Sequence, residues 1–155
     1  MTPTQKRALA LTLATAIAIP AEGLRRVAYQ DPPGIWTICY GTTNGVKKGD
    51  IRTLQECRAY LNRDMNDAIN TVEHCHPGLP VNVLAAFSDA VYNLGPAIAC
   101  DTSRSTAARL LKAGDIKGAC GQLLRWNKAR VAGVHIALPG LTKRRERERE
   151  LCMMP

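Results

Sequence analysis

Residues 22–41 read EGLRRVAYQDPPGIWTICYG, and they join a helix-forming part of the chain to a sheet-forming part. Before it, the segment Ala8–Ala21 is uncharged and rich in Ala and Leu, which predicts a first helix. Within it, Pro32-Pro33-Gly34 predicts a tight turn, and the β-forming residues 35–40 that follow predict a strand. The stretch therefore leads from the end of a helix into a small antiparallel sheet.

From Thr53 onward the pattern is helical. Residues 53–56 read TLQE, a capping box, and apolar residues then recur at three- and four-residue steps as far as Val72. Further helices are predicted over residues 84–94, from 107 to a stop at Gly114, and after Asp115, and a last one over about 142–152. The segment Asn127–Gly140 looks irregular.

These elements predict an α+β fold that is mainly α. A helical body of about residues 53–152 would carry a small antiparallel β lobe of about residues 28–52, with a cleft between the two. A length of 155 residues fits one domain, here 22–155, preceded by the segment 1–21.

The formal net charge of +8 predicts attraction to polyanions, but it does not choose among nucleic acid, membranes and the bacterial envelope. The densest charged stretch, Lys143–Glu150, alternates in sign at three-residue spacing, in Arg145 with Glu148, Glu146 with Arg149, and Arg147 with Glu150. Such pairs are neighbours on a helix and predict a solvated helix face, with a polyanion-binding patch as the alternative.

The six cysteines contain no C-x-x-C motif, which argues against a zinc ribbon or a thioredoxin-like site. An even number at wide spacings favours disulfides in a protein that works outside the cytoplasm, against the alternative of buried, reduced thiols. The sequence alone leaves the pairing open. His74-Cys75-His76 lacks the spacing of a metal site, so no metal or cofactor is predicted.

The segment 8–21 has two possible interpretations. As a helix it is about 21 Å long, short of the roughly 30 Å of a bilayer core. It is either the first helix of the folded domain or an uncleaved export segment that inserts marginally and leaves the membrane again.

Glu22 and Asp31 stand where the first helix meets the β lobe. Hydrolysis of a glycosidic bond needs one carboxylic acid to protonate the leaving oxygen and a second carboxylate to activate water or attack the sugar. Thr37, in the predicted strand, could hold a water molecule by its hydroxyl. With 13 acidic residues in the chain, this spacing alone is weak evidence for a catalytic pair.

The residues around this pair resemble a known signature. They are Glu22-Gly23-Leu24-Arg25, Ala28-Tyr29-Gln30-Asp31 and Gly34-Ile35-Trp36-Thr37-Ile38-Cys39-Tyr40-Gly41. Phage-type lysozymes, glycoside hydrolase family 24, have E-G-x-x-x-x-x-Y-x-D, a Gly turn and W-T-x-G-x-G-H. Residues 89–95, 114–126 and 139–148 resemble later motifs of that family. The chain departs from it at Cys39, often Gly, and at Thr42, often His, and the second change is expected to alter hydrogen bonding in the cleft.

The resemblance implies a muramidase that hydrolyses the β-1,4 bond between N-acetylmuramic acid and N-acetylglucosamine in peptidoglycan and so lyses the host cell. Glu22 would be the general acid, and Asp31 with Thr37 would position the attacking water, with inversion as the outcome. A partly desolvated site is expected around Glu22. Arg144 resembles an arginine that lines the cleft and steadies this Glu, with a surface position as the alternative. Asn93 would either contact substrate or close a helix.

The resemblance also implies the disulfide Cys75–Cys100, and the pairs expected beside it are Cys39–Cys57 and Cys120–Cys152. The expected partner is peptidoglycan, without nucleic acid, and the expected state is a monomer. Some members of the family carry a releasable N-terminal membrane segment, so residues 8–21 are expected to associate transiently with the inner membrane during export to the host periplasm. The alternative is a host-cytoplasmic enzyme released through a holin.

Two other functions fit parts of the pattern. A lytic transglycosylase would cut the same bond with a single Glu, although Asp31 and Thr37 argue against it. A non-catalytic basic protein that binds the envelope or nucleic acid would account for the charge alone.

Overall fold

The computed structural model describes residues 1–155, and the predicted mainly-α architecture with a small β lobe is confirmed. The helices are α1 (Pro3–Glu22), α2 (Leu54–Cys75), α3 (Val81–Leu94), α4 (Ala97–Cys100), α5 (Thr106–Ala113), α6 (Ile116–Gln122) and α7 (Pro139–Cys152). The strands are β1 (Arg25–Gln30), β2 (Trp36–Cys39), β3 (Lys128–Val131) and β4 (Val134–Ala137). They form two separate antiparallel hairpins, β1–β2 and β3–β4.

Helix α1 begins at a capping box that Thr2 and Gln5 form, with Pro3 at the first helical position. Its buried residues, Ala10, Ala14, Ile17 and Ala18, follow the helical repeat and pack against α3 and α2. Pro20 lies inside the helix and cannot donate to the carbonyl of Ala16. Arg147 of α7 donates to that carbonyl instead, at 3.5 Å.

No helix in the chain combines the length and the apolar character that crossing a bilayer would need.

Helix α3 is the centre of the helical body, with nine buried residues and neighbours on three sides in α1, α2 and α7. Helix α2 begins at the predicted capping box of Thr53 and Glu56. Its predicted apolar face is buried at Cys57, Leu61, Met65, Ala68 and Val72, whereas Leu54, at the first turn, is exposed.

The prediction that Asn127–Gly140 is irregular is wrong, because strands β3 and β4 form a regular hairpin there. The two residues of its turn, Ala132 and Gly133, both have positive φ, at 49° and 82°. Such hairpin turns normally carry Asn or Gly at the first position. Because Ala132 occupies that position here, the sequence pattern did not indicate a turn. Helix α7 then begins at Pro139, a little before the predicted start at Thr142.

The prediction that Lys143–Glu150 is a solvated face is wrong for three of its residues, although Lys143, Glu146, Arg147, Arg149 and Glu150 are exposed. Arg144, Arg145 and Glu148 are buried, and only the first of the three predicted pairs forms, between Arg145 and Glu148 at 2.6 Å. The alternating charges do not reveal that one charged face of this helix is buried. Such burial is stable only if each buried charge has a partner.

The six cysteines form three disulfides, which join Cys39 with Cys57, Cys75 with Cys100, and Cys120 with Cys152. The first joins the β lobe to α2, the second joins the end of α2 to α4, and the third joins α6 to α7. They hold the segments that carry the candidate site against the helical body.

Candidate active site

Glu22 is the last residue of α1, and Gly23 with φ of 69° ends the helix there. The Glu22 side chain is 21% exposed, so it is partly withdrawn from water yet accessible. Its Oε1 accepts a hydrogen bond from Nη1 of Arg144 at 2.5 Å. Its Oε2 faces Gly41, where an added Cβ would lie only 3.1 Å away. Arg144 therefore fixes Oε1 of Glu22, and Oε2 lies close to Gly41.

Arg144 is 4% exposed, so the alternative that placed it on the surface is wrong. Besides Glu22, it binds both carboxylate oxygens of buried Asp89, from Nε at 2.9 Å and from Nη2 at 2.8 Å. This bidentate geometry fixes the plane of the guanidinium. Burial opposes the charge of Arg144, but the hydrogen bonds and charges of Asp89 and then Glu22 raise its pKa above the ordinary range.

Asp31 and Thr37 lie together at the turn of the β1–β2 hairpin, where both bind Ile35. Oδ1 of Asp31 accepts from the Ile35 N–H at 2.7 Å, and the Asp31 N–H donates to the Ile35 carbonyl at 3.0 Å. The Thr37 hydroxyl donates to the same carbonyl at 3.0 Å and is 4% exposed. Asp31 keeps Oδ2 free of protein partners, and Thr37 keeps its acceptor lone pairs.

A groove of about 300 Å³ lies between the β lobe and helices α2 and α3. Gly41, which Oε2 of Glu22 faces, is one of its lining residues, and polar side chains line much of it, namely Thr43, Asn44, Asp64, Asp67, Thr71 and Tyr92. Glu22, Asp31 and Thr37 do not line it themselves. Thr42, the departure from the family signature, donates to Oδ2 of Asp64 at 2.9 Å and so joins the β lobe to α2. A polar groove near a partly exposed carboxyl group is suited to a sugar chain.

Asn93 is half-buried and its Oδ1 accepts from Nη2 of Arg145 at 2.9 Å. Arg145 also binds Oε1 of Glu148 at 2.6 Å, while Oε2 of Glu148 has no partner. The Asn93 amide oxygen is thus engaged inside the protein, next to the Arg144–Asp89 pair, rather than turned toward the groove.

Burial raises the pKa of Glu148 well above its usual range. Asp89 raises it further, because its carboxylate can accept a hydrogen bond only from the protonated form of Glu148 and because its negative charge opposes ionisation, against the opposing effect of Arg145. The folded state therefore binds a proton that the unfolded chain releases above about pH 4.3. Because of this difference, stability falls as the pH rises from that value toward the raised pKa.

Glu148→Gln is expected to remove much of this pH dependence, because Gln stays neutral and keeps a donor toward Asp89. At neutral pH the variant should be more stable than the wild type by about 1–3 kcal/mol, the usual penalty of a buried polar atom without a partner. Urea unfolding at several pH values measures it. The same change at exposed Glu150 is the control, and equal pH slopes in wild type and Glu148→Gln would contradict the assignment.

Gly41→Ala is expected to slow catalysis, because its Cβ would press on Oε2 of Glu22. Gly45 supplies a matched control. It also has positive φ, at 72° against 89° for Gly41, but nothing lies within 4 Å of an added Cβ. Both variants should carry about 1–2 kcal/mol of backbone strain, and only Gly41→Ala should lose about tenfold or more in rate, since small misplacements of a catalytic group are costly. Equal rates of cell-wall clearing by the two variants would show that this contact is unimportant.

Several residues of the site were missed from the sequence. Asp89, which fixes Arg144, lies within the apolar run AAFSDAV, and a single acid there was a signal for a buried ion pair. Gly41 was noticed only as part of a motif. Tyr92 donates its hydroxyl proton to the Tyr40 carbonyl and so joins α3 to the β lobe, a contact that no local pattern predicts.

A partly exposed carboxyl group at a helix end, fixed by a buried arginine and close to a polar groove below a small β lobe, is the arrangement of a lysozyme-like site. The sequence profile of the family described as phage lysozyme matches residues 20–148. The chain is 36% identical over 154 residues to the SAR-endolysin of Pseudomonas phage phiKMV, across 99% of this chain and 92% of that protein.

Two solved structures are also similar. The muramidase domain of SpmX from Asticaccaulis excentricus has a TM-score of 0.80 and 26% identity, over 94% of this chain and 95% of that one. The active form of the P1 phage endolysin Lyz has a TM-score of 0.78 and 27% identity, over 91% of this chain and 83% of that one.

The chain therefore belongs to the phage lysozyme family, as the sequence motifs predicted. It is an enzyme, a glycoside hydrolase of the lysozyme type that degrades peptidoglycan.

Proposed function

We propose that this enzyme hydrolyses the β-1,4 bond between N-acetylmuramic acid and N-acetylglucosamine with inversion of configuration, and that it thereby lyses the host cell. Glu22 donates its proton to the glycosidic oxygen as the bond to the anomeric carbon breaks. A water molecule held by Asp31 and Thr37 attacks that carbon from the opposite face and gives its proton to Asp31. Proton exchange with solvent then restores both carboxyl groups.

The position of Glu22 is the observation that carries this proposal. Its Oε1 is fixed by a buried arginine, its Oε2 faces Gly41, a residue that lines a polar groove, and its side chain remains 21% exposed. A general acid needs this combination of fixed geometry and access to substrate. Arg144 acts as a positioning residue in this scheme, because Asp89 fixes it and it in turn fixes Glu22.

The placement of Asp31 and Thr37 supports the role of the water. Both are held by Ile35 at the turn of the hairpin, whereas Glu22 lies beside Gly41, beyond the other end of β2. The two carboxyl groups thus come from different elements, the end of α1 and the turn of the hairpin. An inverting mechanism requires them to lie about 6.5–9.5 Å apart across the sugar, so that a water molecule fits beside the second carboxylate.

Product analysis in water enriched in oxygen-18 tests the reaction. Hydrolysis places one heavy oxygen at the new reducing end of each muropeptide, whereas a lytic transglycosylase leaves an anhydro product without added water. We expect the heavy hydrolysis product from purified peptidoglycan, and an anhydro product would overturn the proposal. Nuclear magnetic resonance of the first anomer formed separates inversion from retention.

We further propose that the enzyme works as a monomer in the host periplasm, where its three disulfides are stable. The relative from phage phiKMV is named a SAR-endolysin, and the alignment includes α1, so the uncharged segment 8–21 is proposed to associate transiently with the inner membrane during export. Fractionation of cells that express the chain tests this: recovery in the cytoplasm alone would favour release through a holin.

A further inference from the structure

The β3–β4 hairpin projects from the helical body with almost no contacts of its own. Every residue of its strands is exposed except Ala129, which is half-buried. Its base is closed by the Leu138 N–H, which donates to the Asn127 carbonyl at 3.0 Å, and by the Asn127 side chain, which donates to the Thr142 hydroxyl at 3.0 Å. Isolated two-stranded hairpins are marginally stable in water, so an exposed one suggests a role in binding.

The tip of the hairpin is entirely apolar. It reads Val131-Ala132-Gly133-Val134, with Val131 46% exposed and Val134 59% exposed. Ile136, two register positions behind Val134 and on the same face, is 41% exposed. These side chains add nothing to the core of the enzyme, and they form one exposed apolar end rather than scattered surface residues.

Two cations, Lys128 and Arg130, lie behind this tip on the opposite face of the hairpin from the valines, because side chains alternate between the two faces along a strand. Arg130 is opposite His135 in the strand register, and its Nη2 donates to Nε2 of His135 at 3.3 Å. No Asp or Glu occurs between Asp115 and Glu146, so no nearby residue in sequence neutralises the two cations. Neither of them takes part in a salt bridge.

We propose that the β3–β4 hairpin docks on an anionic phospholipid surface. The Val131–Val134 tip enters the head-group region, and Arg130 and Lys128 contact lipid phosphates. An apolar tip with two cations behind it matches the apolar and phosphate layers of such an interface. Shallow insertion leaves the backbone of the turn hydrated, as an unpaired backbone requires.

The composition of the hairpin favours lipid over other polyanions. Proteins that bind single-stranded nucleic acid stack bases on aromatic side chains, and the hairpin has none. A groove of about 740 Å³ does separate the hairpin from Pro32 and Pro33, next to Asp31, so contact with substrate is the competing outcome that the test must separate.

The test is co-sedimentation of the full chain with vesicles of phosphatidylcholine alone and of phosphatidylcholine with phosphatidylglycerol. We compare two variants of the hairpin with two matched controls elsewhere on the surface. The tip variant is Val131→Ser/Val134→Ser, and the cation variant is Lys128→Gln/Arg130→Gln. The controls are Val27→Ser/Ile51→Ser, which removes exposed aliphatic side chains, and Lys112→Gln/Lys117→Gln, which removes two cations. All variants keep α1 unchanged, so any membrane affinity of that helix is common to all.

We expect wild type to bind the anionic vesicles and not the neutral ones. The tip variant should bind about tenfold more weakly. The affinity of the cation variant should fall about fivefold for each cation removed, while both controls bind as wild type does. Equal losses in the controls would show that net charge alone drives binding and would overturn the proposal. So would a tip variant that binds normally but clears lipid-free cell walls more slowly, since the hairpin would then serve the substrate.

Discussion

Glu22→Gln is expected to lower the rate at which the enzyme clears purified cell walls by about 10²–10⁴-fold, the usual contribution of a general acid. Gln cannot donate a proton, yet its amide oxygen can still accept the hydrogen bond from Arg144 that Oε1 of Glu22 accepts at 2.5 Å. The variant should therefore fold and unfold as wild type does. Turbidity measurements on purified peptidoglycan give the rate, and urea unfolding confirms that the fold is retained.

Glu150→Gln is the control for this experiment, because it makes the same chemical change at an exposed position of α7. It should clear cell walls at the wild-type rate. A Glu22→Gln variant that remains active within a few-fold of wild type would remove Glu22 from the mechanism, whatever the family resemblance.

Arg144→Met is expected to destabilise the fold by about 3–5 kcal/mol, the usual cost of removing one partner of a buried ion pair. Asp89 is fully buried and would lose the donors of both its carboxylate oxygens. Glu22 would lose its only side-chain partner in the same step. Urea unfolding at neutral pH measures the loss.

Arg149→Met is the control, since Arg149 lies on the exposed face of the same helix and forms no salt bridge. It should change stability by no more than about 0.5 kcal/mol. Arg144→Lys separates charge from geometry: it keeps the charge but cannot bind Asp89 and Glu22 together through a planar fork. We expect Lys to recover part of the stability and little of the activity. A loss below about 1 kcal/mol in Arg144→Met would contradict the role assigned to this contact.

Local signals predicted the helical parts of this fold well. The capping box at Thr53 and the apolar repeat after it set the start and the buried face of α2, because both depend only on residues three or four positions apart. The turn at Pro32-Pro33-Gly34 likewise marked the end of β1. In these segments local preference and the final packing agree.

The contacts that organise the site were not predictable in this way. Arg144 meets Glu22 across a separation of 122 residues and Asp89 across 55. Nothing in the alternating charges of α7 distinguishes buried Arg144 from exposed Arg147, because that difference arises only when α7 packs against α3. The β3–β4 hairpin was missed for a local reason, since Ala132 occupies a turn position that normally carries Asn or Gly.

The bond between Arg144 and Glu22 has a consequence for how this enzyme can be inactivated. A proteolytic cut that releases α7 would leave Glu22, Asp31 and Thr37 intact in the chain, yet it would remove the only side chain that orients the proton donor. Such a fragment would contain every residue of the proposed chemistry and still be inert. The disulfide between Cys120 and Cys152 prevents the release of α7. It keeps the far end of α7 attached to α6 even after a proteolytic cut in the exposed β3–β4 hairpin.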